Sequence, residues 1–276
     1  MTARISAPLF HPMAWVYVTA SRNDAPQEES HQMSLDAPPL LELSDVALAV
    51  DGRALLQGID LSACERRIGI VGRNGSGKTT LARVMAGLVA PDRGRVRIGG
   101  VDVTRDRKAA IRQVGILFQN PDHQIIFPTV EEEIAFGLGQ LGQDKQTAAA
   151  GVVDMLKRFN KSHWAKIAVH TLSQGQKQLV CLMAVLAMQP GVIILDEPLS
   201  GLDIPTRMQL ARYLEGVEAT LVHVSHDPST LSSYDRVIWL SDGRIVQDGA
   251  AGEVLRAFTA EMTSLGGADD ISDLAG

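Results

Sequence analysis

Cysteine is scarce in this chain. Cys64 and Cys181 are its only two, far apart and without C-x-x-C spacing. That excludes a disulfide framework or a zinc ribbon, and both read as small apolar core residues. A basic surplus is also missing: the net charge is −6, whereas a nucleic-acid binder carries a basic face or stripe, so nucleic acid is excluded as a main partner. Long apolar runs are absent too. The nearest, Val180 to Met188, is far short of the roughly 18 residues that a membrane-crossing helix needs and reads as a buried helix. Within these limits, 276 residues with 45% hydrophobic content suffice for one large domain with a substantial core.

What is present centres on Gly72-Arg73-Asn74-Gly75-Ser76-Gly77-Lys78-Thr79-Thr80. The run fits G-x-x-x-x-G-K-[ST], the phosphate-cradling P-loop, a pattern that chance places in about one chain per hundred. Its flanks agree. Ile68 to Val71 reads as a buried strand, and Lys78 onward as a helix with Leu81, Val84, Met85 and Leu88 on one face. Gly72, Asn74, Gly75, Ser76, Gly77, Lys78, Thr79 and Thr80 are the candidate phosphate-binding residues. The glycines let main-chain N–H groups turn toward an anion, while the helix N-terminus and Lys78 supply positive charge. Thr79 offers a hydroxyl to a phosphate-bound Mg²⁺. A nucleoside triphosphate is the implied ligand.

Other strands end in polar residues, as ligand-binding strands of open α/β sheets do. Ile111 to Phe118 reads as a core strand running into Gln119. Val192 to Leu195 is apolar throughout, the pattern of a central parallel strand, and runs into Asp196-Glu197. Ala219 to Ser225 runs into His226. Asp196 suits a Mg²⁺ ligand opposite Thr79, and Glu197 a group that orients and deprotonates the attacking water. Leu41 to Leu61 and Arg95 to Val103 read as hairpins of a small antiparallel sheet. A helical stretch starts at the capping box Thr129-Val130-Glu131-Glu132, continues through Val152, Met155, Leu156 and Phe159, and ends with a buried helix from Ser173 to Met188, stopped by Pro190. The isolated histidines His123, His163, His170 and His223 read as surface or packing residues.

Between the P-loop and the acidic strand stands Leu172-Ser173-Gln174-Gly175-Gln176. It resembles Leu-Ser-Gly-Gly-Gln, the signature of ATP-binding-cassette (ABC) ATPases, and the order P-loop, Gln119, signature, Asp196-Glu197, Ser200-Gly201-Leu202-Asp203 and His226 matches that family over roughly residues 40–255. The resemblance implies an ATPase in which two subunits close head to tail on ATP. Ser173, Gly175 and Gln176 would then contact the γ-phosphate bound to a facing subunit, and Asp203 would lie at the interface. Gln119 would touch Mg²⁺ or the water, and His226 would hold the γ-phosphate. The chain departs from the pattern twice. Gln174 replaces the first signature glycine, and Val50 aligns where the family carries an adenine-stacking aromatic, leaving the base apolar contact only. Phe118 to Gln124 and Phe127 to Gly137 further resemble the energy-coupling-factor (ECF) subgroup, which powers uptake of vitamins and of cobalt or nickel. Leu202 to Thr206 is most similar to its biotin-type members, with cobalt-type members next.

The expected fold is therefore α/β: a RecA-like P-loop core with an antiparallel side sheet and a helical subdomain at about 128–190, the whole spanning 40–255. Residues 1–39 carry five prolines, Pro8, Pro12, Pro26, Pro38 and Pro39, and read as a disordered or loosely docked extension rather than a secretory signal, with Met33 as an alternative start. Residues 256–276 read as an acidic tail. The expected partners are a second ABC subunit, of this chain or a similar one, a membrane coupling protein and a small substrate-binding membrane protein, at the cytoplasmic face of the membrane. A soluble ABC ATPase of protein or cluster assembly is the alternative. A chromosome-type member would need long coiled coils that are absent here, and the motif order argues against a P-loop kinase.

Overall fold

The computed structural model describes residues 40–266. The expected extension at 1–39, its possible start at Met33, and residues 267–276 lie outside the described residues. The described part opens with a hairpin, β1 (Leu41–Val50) and β2 (Arg53–Ala63), joined by Asp51-Gly52 with positive φ at both positions, the turn that matches strand twist. β3 (Arg67–Val71) leaves that sheet and runs through the P-loop into α1 (Lys78–Met85). β4 (Arg93–Ile98) and β5 (Val101–Asp102) return to complete an antiparallel sheet of order β2-β1-β4-β5.

Next come α2 (Arg107–Gln113) and β6 (Val114–Leu117). Here the expected strand from Ile111 is corrected. The Asp106 side chain accepts from Ala109 N and caps a short helix that takes Ile111 to Gln113, so the strand begins only at Val114. A helical layer follows, made of α3 (Val130–Gln140), α4 (Lys145–Arg158) and α5 (Gln174–Ala187). At its entry Glu132 accepts from the Thr129 N–H and hydroxyl at 3.2 and 2.6 Å, and α5 starts in a second capping box formed by Ser173 and Gln176. β7 (Val192–Asp196), α6 (Ile204–Glu215), β8 (Thr220–Ser225), β9 (Arg236–Ser241), β10 (Arg244–Ala250) and α7 (Ala251–Gly266) complete the described part.

The second sheet has the order β10-β9-β3-β8-β7-β6, parallel from β9 to β6 and antiparallel only at β10. Its central strands are covered on both sides. Val192 and Ile194 of β7, with Val222 and Val224 of β8, pack toward α1 and the antiparallel sheet. Ile193, Leu195 and Leu221 pack into the helical layer. This two-residue alternation, apolar on both faces, explains the uninterrupted Val-Ile-Ile-Leu run.

Two further expectations change. The boundary placed at 255 cuts through α7, whose Val254, Leu255 and Phe258 are buried against Val71 and Val237; the helix runs to Gly266 because its apolar face continues to Met262. Cys181 is buried but Cys64 is exposed, at the end region of β2, because it follows the last inward-facing position, Ala63. Among the described residues no helix is long and apolar enough to cross a membrane.

Candidate nucleotide site

Because β3, β8, β7 and β6 are parallel neighbours, their carboxyl ends share one sheet edge. That edge carries the P-loop, His226, Asp196-Glu197 and Gln119 in spatial order. The P-loop is pinned where it turns. Gly243 N, in the β9–β10 turn, donates to Ser76 O at 3.0 Å, and Ser76 N donates to Arg73 O at 3.2 Å. Gly77 sits at φ 99°, and a Cβ there would lie 2.6 Å from Leu55 O. Only glycine combines that left-handed backbone with so close an approach. Gly72 is tight as well: a Cβ would meet Leu240 O at 2.3 Å.

Gly77 caps α1 without a side-chain hydrogen bond, which leaves the N–H groups of the first helical turn directed at whatever lies before it. They face a cleft of about 510 Å³ lined by Asn74, Gly75, Gly77, Lys78, Thr79, Thr80, Gln119, Glu197 and His226, together with Arg53 and Leu55 from β2. Lys78 is buried, and its Nζ donates to Gly72 O and Arg73 O at 2.7 and 2.8 Å. Burial pulls its pKa down, while Glu197 and Asp196 push it back up.

The acidic end of β7 faces this loop. Thr79 Oγ1 donates to Asp196 Oδ1 at 3.0 Å, and burial holds the Asp196 carboxyl above the usual range despite that bond. Glu197 departs from strand geometry. Its φ is 49°, and its N–H crosses to Val224 O at 3.0 Å. A non-glycine residue in this region is strained, and such strain persists where the surroundings hold it. The holding is visible at the side chain, where Oε2 pairs with His226 Nδ1 at 2.8 Å and accepts from Ser200 Oγ at 2.9 Å. Glu197 itself is among the residues lining the cleft.

The expected site residues thus fall into two groups. Asn74, Gly75, Gly77, Lys78, Thr79, Thr80, Gln119, Glu197 and His226 line one cleft, and Asp196 reaches it through Thr79. Gly72 shapes the loop from behind, and Ser76 is buried with an Oγ that has no hydrogen-bond partner among the described residues. Ser173, Gly175, Gln176 and Asp203 do not line that cleft. In one chain they serve helix ends: Gln176 N donates to Ser173 Oγ at 3.3 Å, and Thr206 N donates to Asp203 Oδ1 at 2.9 Å. Gly175 lies against α6, where a Cβ would meet Thr206 Cγ2 at 2.2 Å. Val50 is also outside the cleft and half exposed. Sequence reasoning missed Arg53, Leu55 and the contact of Ser200 with Glu197. Only the Asp51-Gly52 turn signalled the first two, because it turns β2 back toward the P-loop.

A P-loop opposed by an adjacent Asp-Glu pair at the end of a parallel strand one place removed in the same sheet defines a nucleoside-triphosphate hydrolase. Comparison with known proteins narrows that class. Residues 56–200 match the family model described as ABC transporter. The chain is 48% identical over 225 residues, covering 82% of it and 96% of the relative, to the biotin transport ATP-binding protein BioM of Rhodobacter capsulatus. It is 38% identical to the energy-coupling factor transporter ATP-binding protein EcfA of Methanothermobacter thermautotrophicus, over 79% of this chain and 73% of that one. Among solved structures it is similar to cbiO1 from Clostridium perfringens, part of the ABC transporter complex cbiONQ, with a TM-score of 0.69 and 29% identity over 80% of this chain and 92% of that chain. The chain belongs to the ABC transporter family and is an ATP-hydrolysing transport ATPase of it.

Proposed function

We propose that this chain is the ATPase subunit of an energy-coupling-factor transporter that takes up biotin, acting peripherally at the cytoplasmic face of the membrane. Its partners would be a second ATPase subunit, a membrane coupling protein and a small biotin-binding membrane protein. The solute is argued from the relative named for biotin transport, which it matches at 48% identity across nearly that protein's whole length. The chemistry rests on one observation, the convergence of Thr79 and Asp196 at 3.0 Å beside a Glu197 held by Ser200 and His226.

In this reading the first-turn N–H groups of α1 and the Lys78 ammonium bind the β- and γ-phosphates. Leu55 and the Arg53 guanidinium bracket the adenine, in place of the apolar contact expected from Val50. The hydroxyl of Thr79 and the carboxylate of Asp196 are hard oxygen donors on one spot and fit Mg²⁺, with Gln119 on the same rim. Bound there, Mg²⁺ would neutralise charge on the phosphate oxygens. Glu197 takes the proton of the attacking water, while Ser200 and His226 hold its Oε2. Ser173, Gly175 and Gln176 at the N-terminus of α5, and Asp203 at that of α6, meet the γ-phosphate side of a facing subunit.

Affinity purification of the chain from detergent-solubilised native membranes, with mass spectrometry of its companions, tests the transport assignment. Recovery of a coupling protein and a small membrane protein that binds biotin is the expected result. Recovery of soluble partners only would overturn it and leave the ATPase chemistry standing.

A further inference from the structure

The pairing of β6 with β7 stops at Leu117, one residue before Phe118 and two before Gln119. The Phe118 peptide is therefore off the sheet, and two glutamine side chains complete it. Phe118 N donates to Gln124 Oε1 at 3.1 Å, and Gln178 Nε2 donates to Phe118 O at 2.9 Å. The rest of the loop is held the same way. The buried Glu133 carboxylate accepts from Ile126 N and Phe127 N, each at 2.9 Å. Lys177 Nζ bonds Asp122 Oδ1 at 2.7 Å. Gln178, Lys177 and Glu133 all belong to the helical layer, so the loop that carries Gln119 is fastened to α3 and α5 rather than to the sheet.

Gln178 is the unusual member. It is 1% exposed, and its Oε1 has no hydrogen-bond partner among the described residues. A buried amide satisfied on one end only is a poor choice for stability, since an apolar side chain of similar volume would avoid the unpaired acceptor. Its one side-chain hydrogen bond among the described residues goes to the peptide adjoining Gln119. It also sits on α5 two residues beyond Gln176, so a displacement of the signature end of α5 is carried to that peptide.

We infer that Gln178 is a positioning residue for ATP hydrolysis: with Gln124 it clamps the Phe118 peptide and sets where Gln119 stands relative to Thr79 and Glu197. This rests on the role given to Gln119 in the proposed function. The clamp makes the catalytic rim depend on the placement of α5, so hydrolysis follows the helical layer as well as the bound nucleotide.

The test uses the purified full chain, with kcat and KM for ATP from phosphate release, nucleotide affinity from a fluorescent ATP analogue, and thermal unfolding as a check on folding. Gln178→Leu and Gln124→Leu are each expected to lower kcat by about tenfold or more, as small misplacements of reacting groups do. Nucleotide affinity should stay within about twofold, because neither residue touches the P-loop. The double variant Gln119→Ala/Gln178→Leu should be no slower than Gln119→Ala alone, as expected if Gln178 acts through Gln119. If Gln178→Leu fails to fold, the half-buried Gln124 carries the test. Folded clamp variants with full kcat, or a double variant whose loss is the product of the two single losses, would overturn the inference while an impaired Gln119→Ala leaves the role of Gln119 intact. A fully active Gln119→Ala would instead overturn that role, and the inference with it.

Discussion

Replacing Glu197 by Gln isolates the base from the binding site. The substitution keeps the side-chain volume, and the amide oxygen still accepts from Ser200 Oγ, 2.9 Å from the carboxylate, so the strained backbone at φ 49° keeps its anchor. What is lost is the proton acceptor, since an amide does not take a proton from water near neutral pH. A positioned general base contributes about 10²- to 10⁴-fold, or roughly 3–5 kcal/mol of barrier, and kcat should fall by that factor. Binding should not follow. Lys78, Thr79 and the first turn of α1 are unchanged, and Asp196 remains beside Lys78 as its second raising charge. Phosphate release at saturating ATP measures the first quantity, and titration with a fluorescent analogue measures the second. A variant that retains more than about a tenth of the wild-type rate with normal binding would show that Glu197 is not the base. A parallel loss of affinity would show that its charge serves binding.

Three further outcomes follow from single sites. Gly77→Ala forces a left-handed residue and brings its Cβ to 2.6 Å from Leu55 O, so urea unfolding should show a loss of about 1–3 kcal/mol, and an unchanged midpoint would contradict the geometry. A thiol reagent should label only Cys64 in the native chain, because Cys181 is buried and burial pushes its thiol pKa far up; rapid modification of two thiols would refute that packing. Burial depresses the His223 pKa to about 4, so between the unfolded value near 6.5 and that figure the unfolded chain binds the extra proton. The stability tied to keeping His223 neutral is then complete above about pH 6.5 and is lost by about 3 kcal/mol as pH falls toward 4. The pH profile of wild type minus that of His223→Leu should show this slope, and superimposable profiles would refute it.

How much of this could be read from the chain follows the range of each interaction. β3, β7 and β8 were legible because strongly apolar segments ended in chemistry-bearing residues, and the start of α3 because its capping box closes within four residues. The strand from Ile111 was overextended because the competing signal, a capping Asp106, is equally local and acts from the other side. Cys64 shows that an apolar residue type does not secure burial just past the end of a strand, since β2 stops at the buried Ala63. Arg53, Leu55 and Gln178 escaped notice for a different reason. Their roles depend on partners that the fold brings near, Gln178 lying 60 residues from Phe118 along the chain, and no spacing rule encodes such a meeting.

The placement of Ser173 and Asp203 outside the cleft yields the sharpest statement about assembly. If the site is shared between subunits, a chain defective in its P-loop and a chain defective in its signature should rescue one another. Lys78→Ala removes the ammonium that faces the cleft. Ser173→Asp keeps the cap of α5, because Asp caps as well as Ser, but sets a carboxylate where a facing subunit's γ-phosphate would come. Each variant alone should be inactive and folded. In an equal mixture that exchanges subunits, half of the pairs are mixed, and each mixed pair contains one intact combination of P-loop and signature, so activity should return to roughly a quarter of wild type by two-fold symmetry. A mixture as inactive as its parents would mean that the two elements do not meet across subunits. Full activity of Ser173→Asp alone would remove Ser173 from the site altogether. Recovery without exchange, in covalently locked pairs of identical variants, would contradict the head-to-tail arrangement as directly as its absence in the exchanging mixture.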